Sequence, residues 1–577
     1  MSRTTVFIFS LFASVLLAAC TSNKSSNPDS TNAFAADLVL TNAKVYTMDK
    51  QRSWAQAVAI HDGRIIFVGK DSEADQFVGK ATQRVDLQGK MLLPSFQDVH
   101  LHPVSAGVAY NGCPLFDLET LEQVLDRVAR CASDKPEADF IRGMGWNWGM
   151  FIGSAPHMDL LDAIDSNRPI ILGDSDGHTL WGNSAAMALA GITTATPNPD
   201  GGEIGRDANG ELTGTLLEGP AMDLLESKLP ALTLAEKEDG LRYAQNYLHG
   251  LGITSIQDAY VRLMGEGADN SLEAYRSLQQ KEELKLRVVA ALYWEPGKGL
   301  SQIERMNQTR EQYSNGRLQA TTVKLWADGI LESHTARMLE PYTDKPNTLG
   351  LLMVPQAEIL ASVPVLDAAG FQVHIHAIGD ATVRYALDAF EAAREANGKR
   401  DSRHLTAHTQ LIDEADLGRF AQLNVIAGFS PYWANADSYV AEINPQQIGE
   451  ERMQRMYLMK SLLESGARIA FGSDWYVSTA DPLLGIETAV TRMDPQGAPT
   501  PEFLPDERLT LDQAIAGYTT EAAHANFLDK DTGSIEIGKY ADLVVLKKNL
   551  FDIPVVEISE AKVTATIMEG EVVYGEL

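Results

Sequence analysis

Leu92-Leu93-Pro94-Ser95-Phe96-Gln97-Asp98-Val99-His100-Leu101-His102-Pro103 is an apolar run that ends in two histidines spaced two apart. Even spacing on a strand sends both side chains to one face, so the stretch reads as a buried strand, Leu92–His100, with imidazoles at its C-terminal end. Seven runs of the same kind follow: Ile253–Ala259, Leu286–Trp294, Thr321–Ala327, Phe371–Ala377, Leu405–Gln410, Val425–Ser430 and Arg468–Trp475. A helical stretch or a long excursion follows each of them. That alternation argues for an α/β protein with a parallel sheet, and eight such strands argue for a (β/α)8 TIM-type barrel over residues 92–534.

Between the first and second runs lie residues 103–252, which read as a large insertion over the C-terminal mouth of the barrel. They contain a further apolar run, Pro169–Gly173, and a helical pattern over Leu118 to Ala129 with Leu121, Val124, Leu125 and Val128 on one face. Cys113 and Cys131 flank that helix, and both a disulfide and two buried thiols are compatible with their spacing. At the chain ends, residues 37–91 and 535–577 share short β-rich runs separated by turn residues such as Asp62-Gly63. They predict one small β-sandwich built from both termini.

Residues 1–19 stand apart from the fold. Val6 to Ala19 is apolar except for two serines, too short to span a bilayer, and it ends in Leu17-Ala18-Ala19-Cys20. This resembles the lipobox of bacterial lipoproteins, which implies cleavage before Cys20 and lipidation of that residue. Residues 20–36 then form the lipidated cysteine and a tether, with Thr21 to Asn32 rich in Ser, Asn, Thr and Pro. Thr21 after Cys20 implies the periplasmic face of the outer membrane in a bacterial cell envelope. The whole chain carries 48 Lys+Arg against 78 Asp+Glu, a net charge of −30. A phosphate-backbone binder needs a basic footprint, so nucleic acid is excluded as a partner.

Six of the 12 histidines fall into three same-parity pairs, His100/His102, His374/His376 and His404/His408, each at the end of a predicted barrel strand. A barrel interior is normally filled by branched apolar residues, and histidines converging there point to a metal. Asp474 closes the eighth run, which neighbours the first in a closed barrel. Lys324 lies in the fourth run on the same face as Thr322 and Trp326, where a lysine needs to be neutralised or paired.

These positions, taken with several ordered stretches, resemble the amidohydrolase superfamily and, within it, the amidohydrolase-3 (YtcJ-like) branch. The stretches are Gly145-Trp146, Asp176-Gly177-His178 with Asn183-Ser184-Ala185-Ala186, Gly201-Gly202 with Thr213-Gly214, Val323-Lys324 through Asp328-Gly329, and His376 through Gly379-Asp380. The resemblance runs from about residue 37 to the C-terminus. It implies one or two divalent ions, zinc first among them, with His100, His102 and Asp474 holding one and His376 and His408 a second. Lys324, N6-carboxylated, would bridge the two. His374 and His404 are second choices as ligands, or partners that orient the first set.

Two departures bear on the pocket. Glu332 and His334 stand in Asp328-Gly329-Ile330-Leu331-Glu332-Ser333-His334-Thr335, where the branch often has Gly and Arg, and Ala407 stands where Glu commonly precedes the sixth-strand histidine. Trp146, His178, Asn183, Asp328 and His334 are candidate substrate contacts. Packing and loop hydrogen bonds are the competing account of each, and Asp328 reads equally as a loop cap. The implied activity is hydrolysis of C–N bonds other than peptide bonds by metal-activated hydroxide, with Asp474 as the catalytic proton shuttle. Esters, lactones or cyclic amidines are alternative substrates for the same site, and a non-catalytic metal- or ligand-binding lipoprotein is the alternative class. The partners expected are a small-molecule substrate and the lipid anchor, and the resemblance is compatible with a homodimer.

Overall fold

Eight parallel strands form one sheet in sequential order: β1 (Phe96–Leu101), β2 (Ile253–Val261), β3 (Arg287–Tyr293), β4 (Leu318–Trp326), β5 (Gln372–Ala377), β6 (Leu405–His408), β7 (Ile426–Phe429) and β8 (Arg468–Phe471). The computed structural model describes residues 35–577 apart from 117, 152–154, 176, 178, 200–201, 264–270 and 498–499. The expected signal, Cys20, the expected tether through Asn32, and His178 therefore lie outside the described residues. Among those described, no helix is long and apolar enough to cross a membrane.

The sheet closes on itself just past the ends of β1 and β8. Asp474 N donates to His100 O at 2.7 Å and His102 N donates to Trp475 O at 2.8 Å. The carboxylate of Asp98, fully buried, accepts from Ser473 N at 3.1 Å and from His100 N at 2.9 Å. Gly472 permits the approach, because a Cβ there would meet the Cβ of His100 at 2.6 Å. The seam that completes the barrel thus also sets the spacing between the histidines of β1 and Asp474.

Each strand run predicted from the sequence overlaps a barrel strand, but the run Leu92–His100 is two strands. Met91–Pro94 pairs antiparallel with Leu543–Leu546 and parallel with Lys44–Tyr46, outside the barrel. Pro94 cannot donate to a continuing ladder, and the chain changes sheets at Ser95, whose N–H goes to Asp542 O at 2.9 Å. Met91–Pro94 lies at the centre of a six-stranded sheet, flanked on one side by Lys44–Tyr46 and Trp54–Ala55 and on the other by three C-terminal strands. A four-stranded sheet of N-terminal strands lies beside it. Leu38, Leu40, Val58 and Ile60 share a buried cluster with Leu543, Val545 and Ile567, so both chain ends build one core.

Residues 103–252 contain a second six-stranded sheet. The run Pro169–Gly173 belongs to it as Ile170–Asp174, beside Ile141–Trp146. The predicted helix is Leu121–Asp134, started by a Thr120–Gln123 capping box and buried through Val124, Val128 and Ala132. Cys113 and Cys131 form a disulfide with Cα atoms 5.9 Å apart. The end of this segment is not lid. Helix Leu234–Gly250 lays Leu241, Ala244 and Leu248 into the main barrel core, and it packs so closely on helix Pro103–Asn111 that a Cβ on Gly107 would lie 1.8 Å from Gly240 O.

Candidate metal centre

The C-terminal ends of β1, β4, β5, β6 and β8 bring together the side chains that the histidine pairs single out. Asp474 is the hub: its Oδ1 lies 3.0 Å from His102 Nε2 and 3.3 Å from His100 Nε2, and its Oδ2 lies 4.0 Å from His408 Nε2. Lys324 Nζ is 3.4 Å from His100 Nε2. The ring of His408 sits 4.7 Å from that of His100 and 4.6 Å from that of His376. His376 Nε2 in turn lies 3.3 Å from Gly329 O. His100, His408 and Asp474 each offer a ligand atom within 4.8 Å of the others, and all three are buried.

Burial sets the charge of this cluster. It holds the His100 and His408 imidazoles well below their ordinary range, and so keeps them neutral. It also brings the Lys324 amine down to about 7, against the opposing charge of Asp474. Burial alone would raise Asp474, yet the hydrogen bond from His102 and the electrostatic pull of the imidazoles and the Lys324 amine around it hold its carboxyl below the usual range. Asp98, behind the seam, is pushed up to about 7 by burial. The result is an anionic carboxylate beside two neutral imidazoles, His100 and His408. His408 Nδ1 is buried with no hydrogen-bond partner among the described residues. Imidazole nitrogens and a carboxylate gathered in one buried cluster suit a divalent ion such as zinc.

Two of these residues hold unusual backbone. His408 has φ 69° and Asp474 φ 58°, in the left-handed region that non-glycine residues seldom occupy. Such conformations cost about 1–3 kcal/mol each and persist where the surroundings fix them, commonly at functional sites.

Of the second-choice ligands, His374 lies beneath the cleft, bonded to His100 Nδ1 at 2.9 Å. His404 faces away. Its ring stacks on Phe390 of the helix Asp380–Asn397, and its Nε2 lies 3.2 Å from Asp367 Oδ1.

The structure does not bring three of the candidate substrate contacts to the cleft, and a fourth, Asp328, lies behind its lining with Oδ1 3.7 Å from His376 Nε2. Trp146 is fully buried in the core of the insertion and donates to Leu172 O at 3.0 Å. Asn183 caps a helix: its Oδ1 accepts from Ala186 N and Ile170 N, and its Nδ2 donates to Asp165 O and Arg168 O. Asp328 accepts from three backbone N–H groups, of Arg337, Ile378 and Gly379, and from Thr382 Oγ1, so it caps the loops around β5. His334 turns to Asp344, 2.8 Å away. Turn and cap residues recur in motifs for the same reason ligands do, because their geometry is exacting, and sequence alone does not separate the two.

The cleft above the cluster is a cavity of about 1340 Å³. Tyr260, Trp326, Ile330, Trp433 and Tyr476 wall it near the histidines, with Glu332 among the acidic groups farther out. Sequence reasoning passed over Tyr260, Trp433 and Tyr476 as contacts. Their signal was position, since each lies at or just beyond the C-terminal end of a barrel strand, where such barrels carry their function.

The amidohydrolase family model, Amidohydro_3, matches residues 83–574. The chain is 32% identical over 542 residues to Protein LONG AFTER FAR-RED 3 of Arabidopsis thaliana, covering 93% of this chain and 92% of that one. It is 29% identical over 550 residues to the N-substituted formamide deformylase of Arthrobacter pascens, covering 93% and 98%. Among solved structures, an uncharacterized metal-dependent hydrolase from Pyrococcus horikoshii OT3 superposes with a TM-score of 0.73 at 25% identity, covering 90% of this chain and 99% of that one. The barrel, the cluster at its mouth and these likenesses agree: the chain belongs to the amidohydrolase family.

Proposed function

We propose that this protein is a hydrolase of C–N bonds outside peptides, acting on amides that carry an apolar or aromatic N-substituent. The observation that carries the reading is Asp474, whose two oxygens reach His100 and His102 on one side and His408 on the other in a buried cleft. His100, His102, His376, His408, Lys324 and Asp474 would hold one or two divalent ions, with zinc and a carboxylated Lys324 as the preferred arrangement. A bound ion supplies Lewis acidity and lowers the pKa of coordinated water toward neutrality.

The remaining steps belong to the chain. Asp474 is anionic, so it can accept a proton from the attacking water at one oxygen and return it to the departing nitrogen. Tyr260, Trp326, Trp433 and Tyr476 exclude water and present ring faces to an N-substituent. The deformylase relative, whose name specifies an N-substituted formamide, supports this substrate class. For location, we propose a lipid anchor at Cys20 on the periplasmic side of a bacterial outer membrane.

The test pairs metal content per chain, by inductively coupled plasma mass spectrometry, with a panel of N-substituted formamides and acetamides. The expected result is one to two equivalents of metal and turnover that is lost with chelator and restored by zinc. Metal-loaded protein inert toward the amides but active on esters or lactones would overturn the C–N assignment.

A further inference from the structure

Below the cleft, a row of buried polar side chains runs from His100 toward the floor of the barrel. His100 Nδ1 lies 2.9 Å from His374 Nε2, and His374 Nδ1 lies 2.5 Å from Gln257 Oε1. Gln257 Nε2 donates to Gln372 Oε1 at 3.2 Å and to Asn526 Oδ1 at 3.3 Å. Thr322 Oγ1 donates to the same Gln372 oxygen at 2.7 Å. Gln372 Nε2 ends the row on two backbone carbonyls, Arg403 O at 2.7 Å and Ala525 O at 2.8 Å. Gln257, Thr322 and His374 are 0% exposed, and Gln372 is 2% exposed.

The direction of every bond follows from the floor upward. A backbone carbonyl only accepts, so Gln372 must turn its nitrogen to Arg403 and Ala525 and its oxygen to Gln257. Gln257 then points nitrogen down and oxygen up. That oxygen also only accepts, so the single N–H of a neutral His374 sits on Nδ1 and its Nε2 is the acceptor. The N–H of His100 is thereby drawn to Nδ1. Its Nε2 lone pair is left facing Lys324 Nζ and Asp474 Oδ1, the space where the ion would lie.

We propose that Gln257 and His374 are positioning residues that lock His100 into the one tautomer able to ligate a metal ion through Nε2, an inference that rests on the metal-centre reading above. A ring without this relay divides its proton between two nitrogens and must reorganise before it ligates. The outer partner of a metal-bound histidine is often a carboxylate or a backbone carbonyl. Here the partner is a second imidazole backed by a carboxamide, which orients the ligand and adds no negative charge to the centre.

The test measures the zinc dissociation constant of the full chain by competition with a chromogenic chelator, with thermal unfolding in chelator recorded alongside. Gln257→Met keeps the side-chain volume and removes the acceptor, and zinc should bind about 10–100-fold more weakly. Gln257→Glu loses the donor to Gln372 and Asn526, and with it stability, but keeps an acceptor oxygen toward His374, so its zinc affinity should stay within about threefold of wild type. A merely structural role predicts that both variants lose thermal stability while their zinc affinities stay equal, and that result would overturn the relay. If Gln257→Met does not fold, His374→Gln and His374→Leu put the same question one step nearer the ion. Gln retains an acceptor for His100 Nδ1 and Leu does not, so equal zinc affinity in the two would overturn it as well. Wild-type chain that binds no zinc overturns the metal-centre reading along with the relay. Tight wild-type binding with indifferent variants overturns the relay alone.

Discussion

Replacing Lys324 by methionine should stabilise the metal-free protein and cripple the metal-loaded one. The side chain is 3% exposed, and burial brings its amine from 10.5 to about 7. At about 1.4 kcal/mol per pKa unit, and with the folded amine half protonated at pH 7, keeping it in the folded state there costs about 4 kcal/mol relative to the unfolded chain. The sign follows from proton counting. Between pH 7 and 10.5 the unfolded chain binds a proton at this lysine and the folded one does not, so wild-type stability rises with pH across that window. Methionine fills similar volume without that cost. The metal-free variant should therefore be more stable by about 4 kcal/mol at pH 7, by about 2 kcal/mol at pH 9, and by almost nothing near pH 10.5. Urea unfolding of chelator-treated protein at three pH values reads this directly. With zinc present the order should reverse, because wild type gains a ligand that methionine lacks, and carbon-13 bicarbonate should label wild type alone. A variant that is less stable at every pH would refute the reasoning, since it would mean that Lys324 stays protonated and is held by Asp474 as a structural ion pair.

Asp474→Asn should lower turnover by about 10²–10⁴-fold while most of the bound metal remains, because the amide still offers an oxygen but takes no proton; metal analysis and kinetics on one preparation check it. Asn183→Ala leaves two buried donors and two half-buried acceptors without their partner, so it should cost about 3 kcal/mol with no change in KM for any amide the enzyme accepts. A raised KM at unchanged stability would return Asn183 to the substrate site. The Cys113–Cys131 disulfide closes a sequence separation of 18 residues, so Cys113→Ala/Cys131→Ala should cost about 3 kcal/mol, read by urea unfolding and by proteolysis within residues 103–233.

The barrel was legible because each strand is a short apolar run bounded by turns or helices, and the pattern repeats. The insertion was much less so. Of its six strands only Ile170–Asp174 stands out in the sequence, since Ile141–Trp146 carries Gly143 and Gly145, and Cys113–Pro114 is two residues long. The break at Pro94 was visible as a residue, but its consequence was not. Leu92 and Leu93 are as apolar as the strand that follows, and only their pairing with Val545 and Val544 assigns them to the terminal sheet. Trp146, Asn183 and His334 show the converse problem, polar or aromatic side chains in motif stretches whose partners turn out to be backbone or neighbouring loop.

The three histidine pairs show where strand parity informs and where it stops. On β5 the rule holds, and His374 and His376 share a face. Parity says nothing of depth, however. His376 reaches the level of His408, while His374 sits one layer below as the hydrogen-bond partner of His100. On β6 the rule fails for a local reason. It assumes extended backbone throughout, and His408 and Thr409 have φ of 69° and 41°, so the alternation ends one residue before it would have aligned His408 with His404. His404 is left against Phe390 and Asp367, and His408 turns into the cleft. The left-handed turn at β6 is therefore a requirement of the site. Any substitution that relaxed His408 into extended backbone would carry its ring toward the helix layer, where His404 already lies, and take from the cluster the one imidazole that touches both His100 and His376.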